Sequence, residues 1–241
     1  MEINPIKTRA ILPPQDDIYK VIDEFVPELR ENDVLVVTSK ILAIHQGRCV
    51  PIGDVKDKDD LIVEEADLAF IKNGSLDGHI NLTIKGNTLI AFAGIDESNA
   101  NGYYILWPDD PVKAAKQIRQ YLKKKFAIKN LAVIITDSHC VAMRRGTSGI
   151  SIGFCGLNPL KDYRKKSDVF GREMKITQAN IVDALSAMAV AAMGEGDERQ
   201  PLAIIRGANF VEFTDKDTSK DLLIPLREDL FYPLLKDFRK P

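Results

Sequence analysis

The stretch Leu131-Ala132-Val133-Ile134-Ile135 consists of five consecutive aliphatic residues, three of them β-branched. Such a run predicts a strand that is buried on both faces of a sheet. Thr136-Asp137-Ser138-His139 follows directly, so polar side chains stand at the end of the predicted strand. Because α/β proteins bind ligands at the carboxyl ends of their strands, this end is the first candidate for a functional site.

Other segments predict further strands around it. Val34 to Val37 and Leu202 to Ile205 are short aliphatic runs of the same kind. His79 to Ile84 and Thr88 to Ala93 predict an antiparallel hairpin with its turn at Lys85-Gly86-Asn87. A hairpin argues against a purely parallel sheet.

Helices are predicted between these strands. Apolar residues at helical spacing favour a helix from about Ile18 to Leu29, and Asp109-Asp110-Pro111 is typical of the start of another that closes at Lys123 to Lys125. Thr177 is the expected N-cap of a third helix, Ala179 to Met193, which is apolar nearly all round.

Together these elements predict an α+β (mixed α/β) fold, a single compact unit of mixed sheet with helices, in one lobe or two. From Cys140 to about Arg172 the chain is polar and rich in glycine, and no strand or helix is predicted there.

Composition narrows the function classes. The chain has 241 residues, 45% hydrophobic and 28% charged, with a net charge of −2. That balance excludes a disordered chain and argues against binding nucleic acid by bulk phosphate neutralisation. No apolar run approaches the roughly 20 residues that span a bilayer, and no signal-peptide core follows Met1 to Arg9, so a cytoplasmic protein without membrane partners is expected.

Two carboxylates are candidate metal ligands. Asp183 lies in the apolar helix, where a buried charge needs a cation, a basic partner or several hydrogen bonds. Asp137 follows the central strand and is either a turn cap or a ligand group. With phosphate oxygens, two such acids would suit Mg²⁺ or Mn²⁺.

Three loops are candidates for anion or substrate binding. Arg144-Arg145-Gly146-Thr147-Ser148-Gly149 offers guanidinium groups, hydroxyls and backbone amides, although it is not a Walker A loop. Lys40, in Ser39-Lys40, follows a predicted strand and can reach a phosphate. Gly94 to Asn99 could grip a substrate through Asp96, Ser98 and Asn99. The structural alternatives are a solvated loop, a surface lysine and a plain turn.

The order of these segments resembles the coenzyme F420-0:γ-glutamyl ligase family over about residues 5–207. The segments that carry the resemblance are Val37-Thr38-Ser39-Lys40 with Gly47-Arg48, Ala93 to Asn99, Ile134 to Asp137, Asp162-Tyr163-Arg164, Asp168 to Arg172, and Arg206-Gly207. The A-G-I-D-x-S-N and T-D elements are the most specific.

The resemblance implies a single domain over residues 1–241 that adds L-glutamate, through its amine, to a carboxylate acceptor with GTP and a divalent metal. It implies a homodimer with the site near the subunit interface. The family's metal acids correspond to Asp137 and Asp183. Its nucleotide loops correspond to Ser39-Lys40 and to Arg9, Ala10, Ile11 and Leu12.

A mechanism follows as a hypothesis. Metal held by the two acids bridges the GTP phosphates, while Lys40, Arg144 and Arg145 neutralise charge on the moving phosphoryl group, with Gly146 and Thr147 beside the nucleotide. The acceptor carboxylate becomes an acyl phosphate, which the glutamate amine attacks.

The sequence departs from the family pattern in three places. Ala184 stands where an acid usually follows the helix Asp, Ala43-Ile44 replaces a second S-K, and residues 138–147 replace an aromatic, Arg-bearing run. These departures resemble a branch proposed to act on folate-type acceptors. F420-0 and folate, and GTP and ATP, therefore stay open as substrates. Ala184 also keeps open a regulatory module that binds nucleotide and metal without catalysis.

Overall fold

The computed structural model describes residues 1–70 and 82–241. Its strands are β1 (Glu2–Ile6), β2 (Asp33–Thr38), β3 (Cys49–Pro51), β4 (Leu68–Ala69), β5 (Leu82–Lys85), β6 (Thr88–Ala91), β7 (Tyr103–Ile105), β8 (Leu131–Cys140), β9 (Thr147–Cys155), β10 (Leu160–Asp162), β11 (Gln178–Asn180) and β12 (Leu202–Arg206). Its α-helices are α1 (Ile18–Phe25), α2 (Ser39–His45), α3 (Lys58–Glu65), α4 (Pro111–Phe126), α5 (Ile181–Met193) and α6 (Tyr232–Leu235).

Five of these strands form the central sheet in the order β1-β12-β2-β8-β9. β2 and β8 are parallel, whereas the other neighbouring pairs are antiparallel. The mixed sheet and the α+β class are therefore confirmed, and so are strands at the three aliphatic runs. Because Thr38 pairs with Thr136, the carboxyl ends of β2 and β8 lie side by side.

Helices cover both faces of this sheet, which explains the continuous aliphatic runs. On one face α1 and α4 pack on alternate residues of β2 such as Leu35 and Val37. On the other face α5 packs on Val34 and Val36. All four side chains are fully buried.

The predicted helices exist with shifted ends. α1 is capped by the Asp17 carboxylate, which accepts from the backbone N–H groups of Tyr19 and Lys20, and it ends at Phe25 rather than at Leu29. The residue before Pro27 is restricted to extended backbone, so the helix stops there. Helix α2, directly after β2, is not predicted from the sequence.

The stretch after residue 140, where the sequence predicts no strand, contains β9 and β10. β8 continues to Cys140 and pairs with β9, with a register irregularity between Ile135 and Thr136. The glycines in this stretch serve packing. A Cβ at Gly149 would lie 2.5 Å from the carbonyl oxygen of Ser186 in α5, and one at Gly153 would lie 2.5 Å from the backbone of Pro111.

The chain between α2 and α4 forms a smaller β-rich portion. The predicted hairpin is present as β5 and β6, and the part of that prediction at residues 79–81 lies outside the described residues. Leu61, Ile62, Ile95 and Leu106 belong to a separate apolar cluster in this portion. In the described ranges 1–70 and 82–241, no helix combines the length and the apolar character needed to span a membrane.

Candidate active-site cleft

A cleft of about 780 Å³ opens at the carboxyl ends of β2 and β8. Its walls include residues 8–11, 38–41, 90–92, 94–96, 136–140 and 193–201. The central sheet supplies its floor, and the smaller portion supplies the wall around Asp96. This is the position in which open α/β sheets place ligands.

Lys40 joins the two sides of the cleft. It lies in the first turn of α2, and its Nζ is 2.7 Å from Asp96 Oδ2 across the cleft wall. The same ammonium donates to the Ser98 carbonyl oxygen at 2.7 Å, and Ser98 donates from its N–H and its hydroxyl to Asp96 Oδ1 at 2.7 and 2.8 Å. The predicted residues Lys40, Asp96 and Ser98 are thus brought together.

The Asp96 carboxylate is held in its charged form. Burial acts to raise its pKa, but the charge of Lys40 and hydrogen bonds from Lys40 and Ser98 outweigh burial and lower the pKa of Asp96. Asn99, the last predicted residue of this loop, donates from Nδ2 to the carbonyl oxygen of Gly196 at 3.0 Å. The loop is therefore fastened to the segment that follows α5.

Gly94 sets the path of the Asp96 loop. Its φ is +74°, and a Cβ there would collide with the Trp107 ring. We expect Gly94→Ala to lower the free energy of unfolding by about 3 kcal/mol, because the substitution adds both backbone strain and overpacking. Chemical denaturation measures this. Gly53→Ala is the control, since no atom lies within 4 Å of a Cβ there. Equal stability of the two variants would contradict the expectation.

Asp137 lies in the floor of the cleft, where its Oδ1 accepts from the Ser138 N–H at 2.8 Å. Burial raises the pKa of Asp137 to about 7, although hydrogen bonds from Ser138 and the Ser39 hydroxyl oppose it. The negative charge of Asp96 raises this pKa further, and the charge of Lys40 lowers it. A cation bound here would stabilise the ionised carboxylate and so offset the cost of its desolvation.

Glu195 is a cleft residue that the sequence analysis missed. Ser138 Oγ donates to its two oxygens at 2.8 and 2.9 Å, and Thr147 Oγ1 donates at 3.1 Å. Gly194 and Gly196, on either side of it, are typical of the end of a helix. The signal was the alternation Gly194-Glu195-Gly196-Asp197-Glu198, which sets acids on a flexible backbone after an apolar helix.

The predicted nucleotide loop at residues 9–12 lies partly in the cleft. Arg9, Ala10 and Ile11 line it, whereas Leu12 is outside its lining residues. Both terminal nitrogens of Arg9 donate to Asp16 at 2.7 Å. The Leu12 N–H donates to the same carboxylate at 2.6 Å, so Asp16 fixes the shape of this segment.

The predicted anion loop lies only partly in a loop: residues 144–146 belong to the connection between β8 and β9, and residues 147–149 begin β9. Arg144, Arg145 and Gly146 are exposed there and are not among the cleft-lining residues, whereas Thr147 is. The roles of the two arginines stay a prediction.

Asp183 is also outside the lining residues of the cleft. Its Oδ1 accepts from the Ser151 N–H at 2.9 Å, and its Oδ2 accepts from Asn180 Nδ2 at 2.6 Å. Asn180 is the N-cap of α5, so Asp183 stands in the first helical turn. Asp183 also acts electrostatically on His139, which lines the cleft. Burial lowers the pKa of the His139 imidazole, and the negative charge of Asp183 partly offsets that decrease.

This geometry makes a prediction that separates a capping role from a ligand role. We expect Asp183→Asn to lower the free energy of unfolding by about 1 kcal/mol, through a weaker bond to Ser151 and lost helix-dipole stabilisation. Chemical denaturation measures the capping role, and calorimetric titration with Mn²⁺ measures the ligand role. A tenfold loss of Mn²⁺ affinity without loss of stability would make Asp183 a ligand instead.

The donor set of the cleft suits a hard divalent cation. Within residues 1–70 and 82–241, no group of three or more His, Cys, Asp or Glu side chains is placed to hold a metal alone. Mg²⁺, however, is usually held by one or two carboxylates and by phosphate oxygens of the substrate. Asp96 and Asp137 provide such a pair, and Glu195 with Ser138 offers further oxygens.

Comparisons with known proteins show which family this chain resembles. The family model described as F420-0:Gamma-glutamyl ligase matches residues 5–207. Coenzyme F420:L-glutamate ligase of Methanopyrus kandleri is 32% identical over 224 residues, 86% of this chain and 87% of that protein. The protein of the same name from Methanocaldococcus jannaschii is 31% identical over 222 residues, 84% and 86% of the two chains. The protein of the same name from Methanococcus maripaludis strain S2 is 41% identical over 147 residues, which are 61% of this chain and 58% of that protein.

Proposed function

Because the chain belongs to the F420-0:gamma-glutamyl ligase family, we propose that it joins the amine of L-glutamate to a carboxylate of an acceptor, using GTP. The acceptor proposed first is coenzyme F420-0, since the relatives are named coenzyme F420:L-glutamate ligase. A folate-type acceptor is the second. A GTP-dependent reaction would take place in the cytoplasm, where nucleoside triphosphates are abundant.

The observation that carries this proposal is the Lys40–Asp96 ion pair beside Asp137 in one cleft. A lysine ammonium at the carboxyl end of a strand suits a triphosphate. Asp96, whose pKa is lowered, and Asp137, whose pKa is raised, lie in the same cleft and suit a cation that accompanies the triphosphate. The cleft volume of about 780 Å³ lies in the range of small-molecule sites, which runs to about 1,000 Å³.

Asp96 and Asp137 are the residues that we propose would hold Mg²⁺ or Mn²⁺, with Glu195 as a further donor. Asp183 has weaker support as a metal ligand than these three residues, because it does not line the cleft. When bound, the cation would neutralise phosphate charge and fix the orientation of the triphosphate. The displacement of Lys40 from Asp96 would free its ammonium for the nucleotide.

The proposed reaction balances in two steps. An acceptor carboxylate oxygen attacks the γ-phosphorus, the bond to the β-phosphate oxygen breaks, and GDP leaves an acyl phosphate. The unprotonated glutamate amine then attacks the acyl carbon, the C–O bond to phosphate breaks, and the amine proton is released to solvent. Lys40 would stabilise the charge that moves to the leaving oxygens, as phosphoryl-transfer enzymes require.

A homodimer is proposed on the basis of exposed apolar side chains in the connection before β9 and between β10 and β11. Val169 and Phe170 are 91% and 93% exposed, and Met143 and Ile176 are 98% and 87% exposed. Exposed apolar groups of this size commonly mark protein contacts. Light scattering after size exclusion measures the mass of the assembly, and a monomer at micromolar concentration would refute the dimer.

The ligation assay tests the proposed function. The protein is mixed with GTP, Mg²⁺ or Mn²⁺, L-glutamate and either F420-0 or tetrahydrofolate, and mass spectrometry detects a gain of one glutamate. Parallel mixtures with ATP test the nucleotide. GTP-dependent thermal stabilisation without acceptor-dependent phosphate release would favour the regulatory module. No product with either acceptor would overturn the ligase proposal.

A further inference from the structure

Phe92 places an aromatic ring in the wall of the cleft without any part in the proposed chemistry. It follows β6, lines the cleft and is 37% exposed. By contrast, the aromatic ring of Trp107 nearby is buried against Gly86 and Gly94. An apolar ring held at a ligand cavity, rather than in the adjacent core, indicates a contact with the ligand.

The backbone at Phe92 is unusual for such a residue. Phe92 and Ala93 both have a φ of 54°, and Gly94 follows with a φ of 74°. A bulky residue in the left-handed region is rare and strained. The strained turn leads directly into the Asp96 loop, so the ring and the carboxylate share one rigid segment.

A lysine holds the ring from one side. Lys58 Nζ lies 5.3 Å from the centre of the Phe92 ring and 5.2 Å from that of Tyr104. It also lies 3.4 Å from Glu97 Oε1, next to Asp96 in the chain. The ring is therefore fixed in place by a cation–π contact while part of its surface stays exposed.

We propose that Phe92 is a stacking platform for a flat heteroaromatic ring bound in the cleft, either the purine base of the nucleotide or the ring system of the acceptor. The inference rests on the proposed function, since that function brings both ligands to this cleft. Stacking requires a π-face and tolerates different ring chemistries, which is why both sources share one proposal.

Phe92→Leu keeps an apolar side chain, although a smaller one, and removes the ring, whereas Phe92→Tyr keeps the ring. With Mg²⁺ present, we expect Phe92→Leu to weaken binding of GTP or of the acceptor by about 5- to 100-fold, the usual range for loss of one stacking contact. Phe92→Tyr should bind within about twofold of the unchanged protein. Tripolyphosphate, which has no ring, should bind all variants equally.

The matched control is Phe210→Leu, since Phe210 is 38% exposed and is not among the cleft-lining residues. A loss confined to GTP identifies the purine as the stacked ring, and a loss confined to the acceptor identifies the acceptor ring. Unchanged affinity for both ligands in Phe92→Leu would overturn the inference. So would an equal loss for tripolyphosphate, or a loss of the same size in Phe92→Tyr.

A second variant keeps the test independent of the stability of Phe92→Leu. Phe92→Trp retains a ring and adds an exposed indole to a chain whose single tryptophan, Trp107, is buried. Stacking should quench the added fluorescence when the ringed ligand binds, and tripolyphosphate should not. Ligation by the unchanged protein with no quenching would refute the platform alone, whereas absence of ligation and binding would refute the proposed function as well.

Discussion

Replacement of Lys40 by methionine is expected to lower kcat/KM for ligation by about 100- to 1,000-fold, the usual effect of removing one preorganised electrostatic group. The Lys40 ammonium is 2.7 Å from Asp96 Oδ2 and 2.7 Å from the Ser98 carbonyl oxygen, so it stands in the cleft with few alternative positions. Methionine preserves the length of the side chain and removes the charge.

The rate of formation of the glutamylated product, followed by mass spectrometry, measures this effect, and circular dichroism verifies the fold. Lys116→Met is the matched control. Lys116 forms an equally short ion pair, 2.7 Å from Asp217, but is not among the cleft-lining residues. We expect that variant to stay within about twofold of the unchanged protein. More than a tenth of the activity retained in Lys40→Met would rule out the role of Lys40.

Asp137→Asn is expected to have two effects of opposite sign. Without its carboxylate the protein should lose cation-dependent ligation by about 1,000-fold, since the proposed cation would lose a charged ligand. The ligand-free protein should nevertheless become more stable above pH 7. Burial raises the pKa of Asp137 to about 7, well above the ordinary Asp value of 3.8, so folding favours the protonated carboxyl.

The pH dependence follows from linkage. The contribution of protonated Asp137 to stability is fully present below about pH 4 and is lost as the pH rises to about 7, because the unfolded chain ionises first. A pKa raised from 3.8 to about 7 corresponds to roughly 4 kcal/mol as an upper limit. Denaturation at pH 5 and at pH 8 measures the difference, and a variant that is less stable than the unchanged protein at pH 8 would contradict this assignment.

The part of the fold that sequence predicted best is the part where one physical effect dominates. Leu131 to Ile135 is buried by helices on both faces, so its side chains had to be apolar throughout. β9 escaped prediction because its small residues, Gly149 and Gly153, reflect close approach of α5 and α4. Glycine in a sequence gives no distinction between a mobile loop and a tightly packed strand.

The same reasoning explains the candidate site. Lys40, Asp96 and Asp137 were found because each follows a predicted strand. The sequence predicts Thr177 as the N-cap and Asp183 inside a buried helix. The cap is instead Asn180, which places Asp183 in the first turn of α5, where Asp183 is half-buried. Glu195 depends on pairing with Ser138 across more than fifty residues, a contact that no local pattern contains.

The position of β12 between β1 and β2 affects how the protein can be made. Residues 202–206 leave the ribosome long after residues 2–6 and 33–38, yet they are the partner of both earlier strands. The nascent chain therefore carries two strands with open edges through most of its synthesis. Such edges invite association with other chains, so we expect the incomplete chain to be more prone to aggregation than the finished protein.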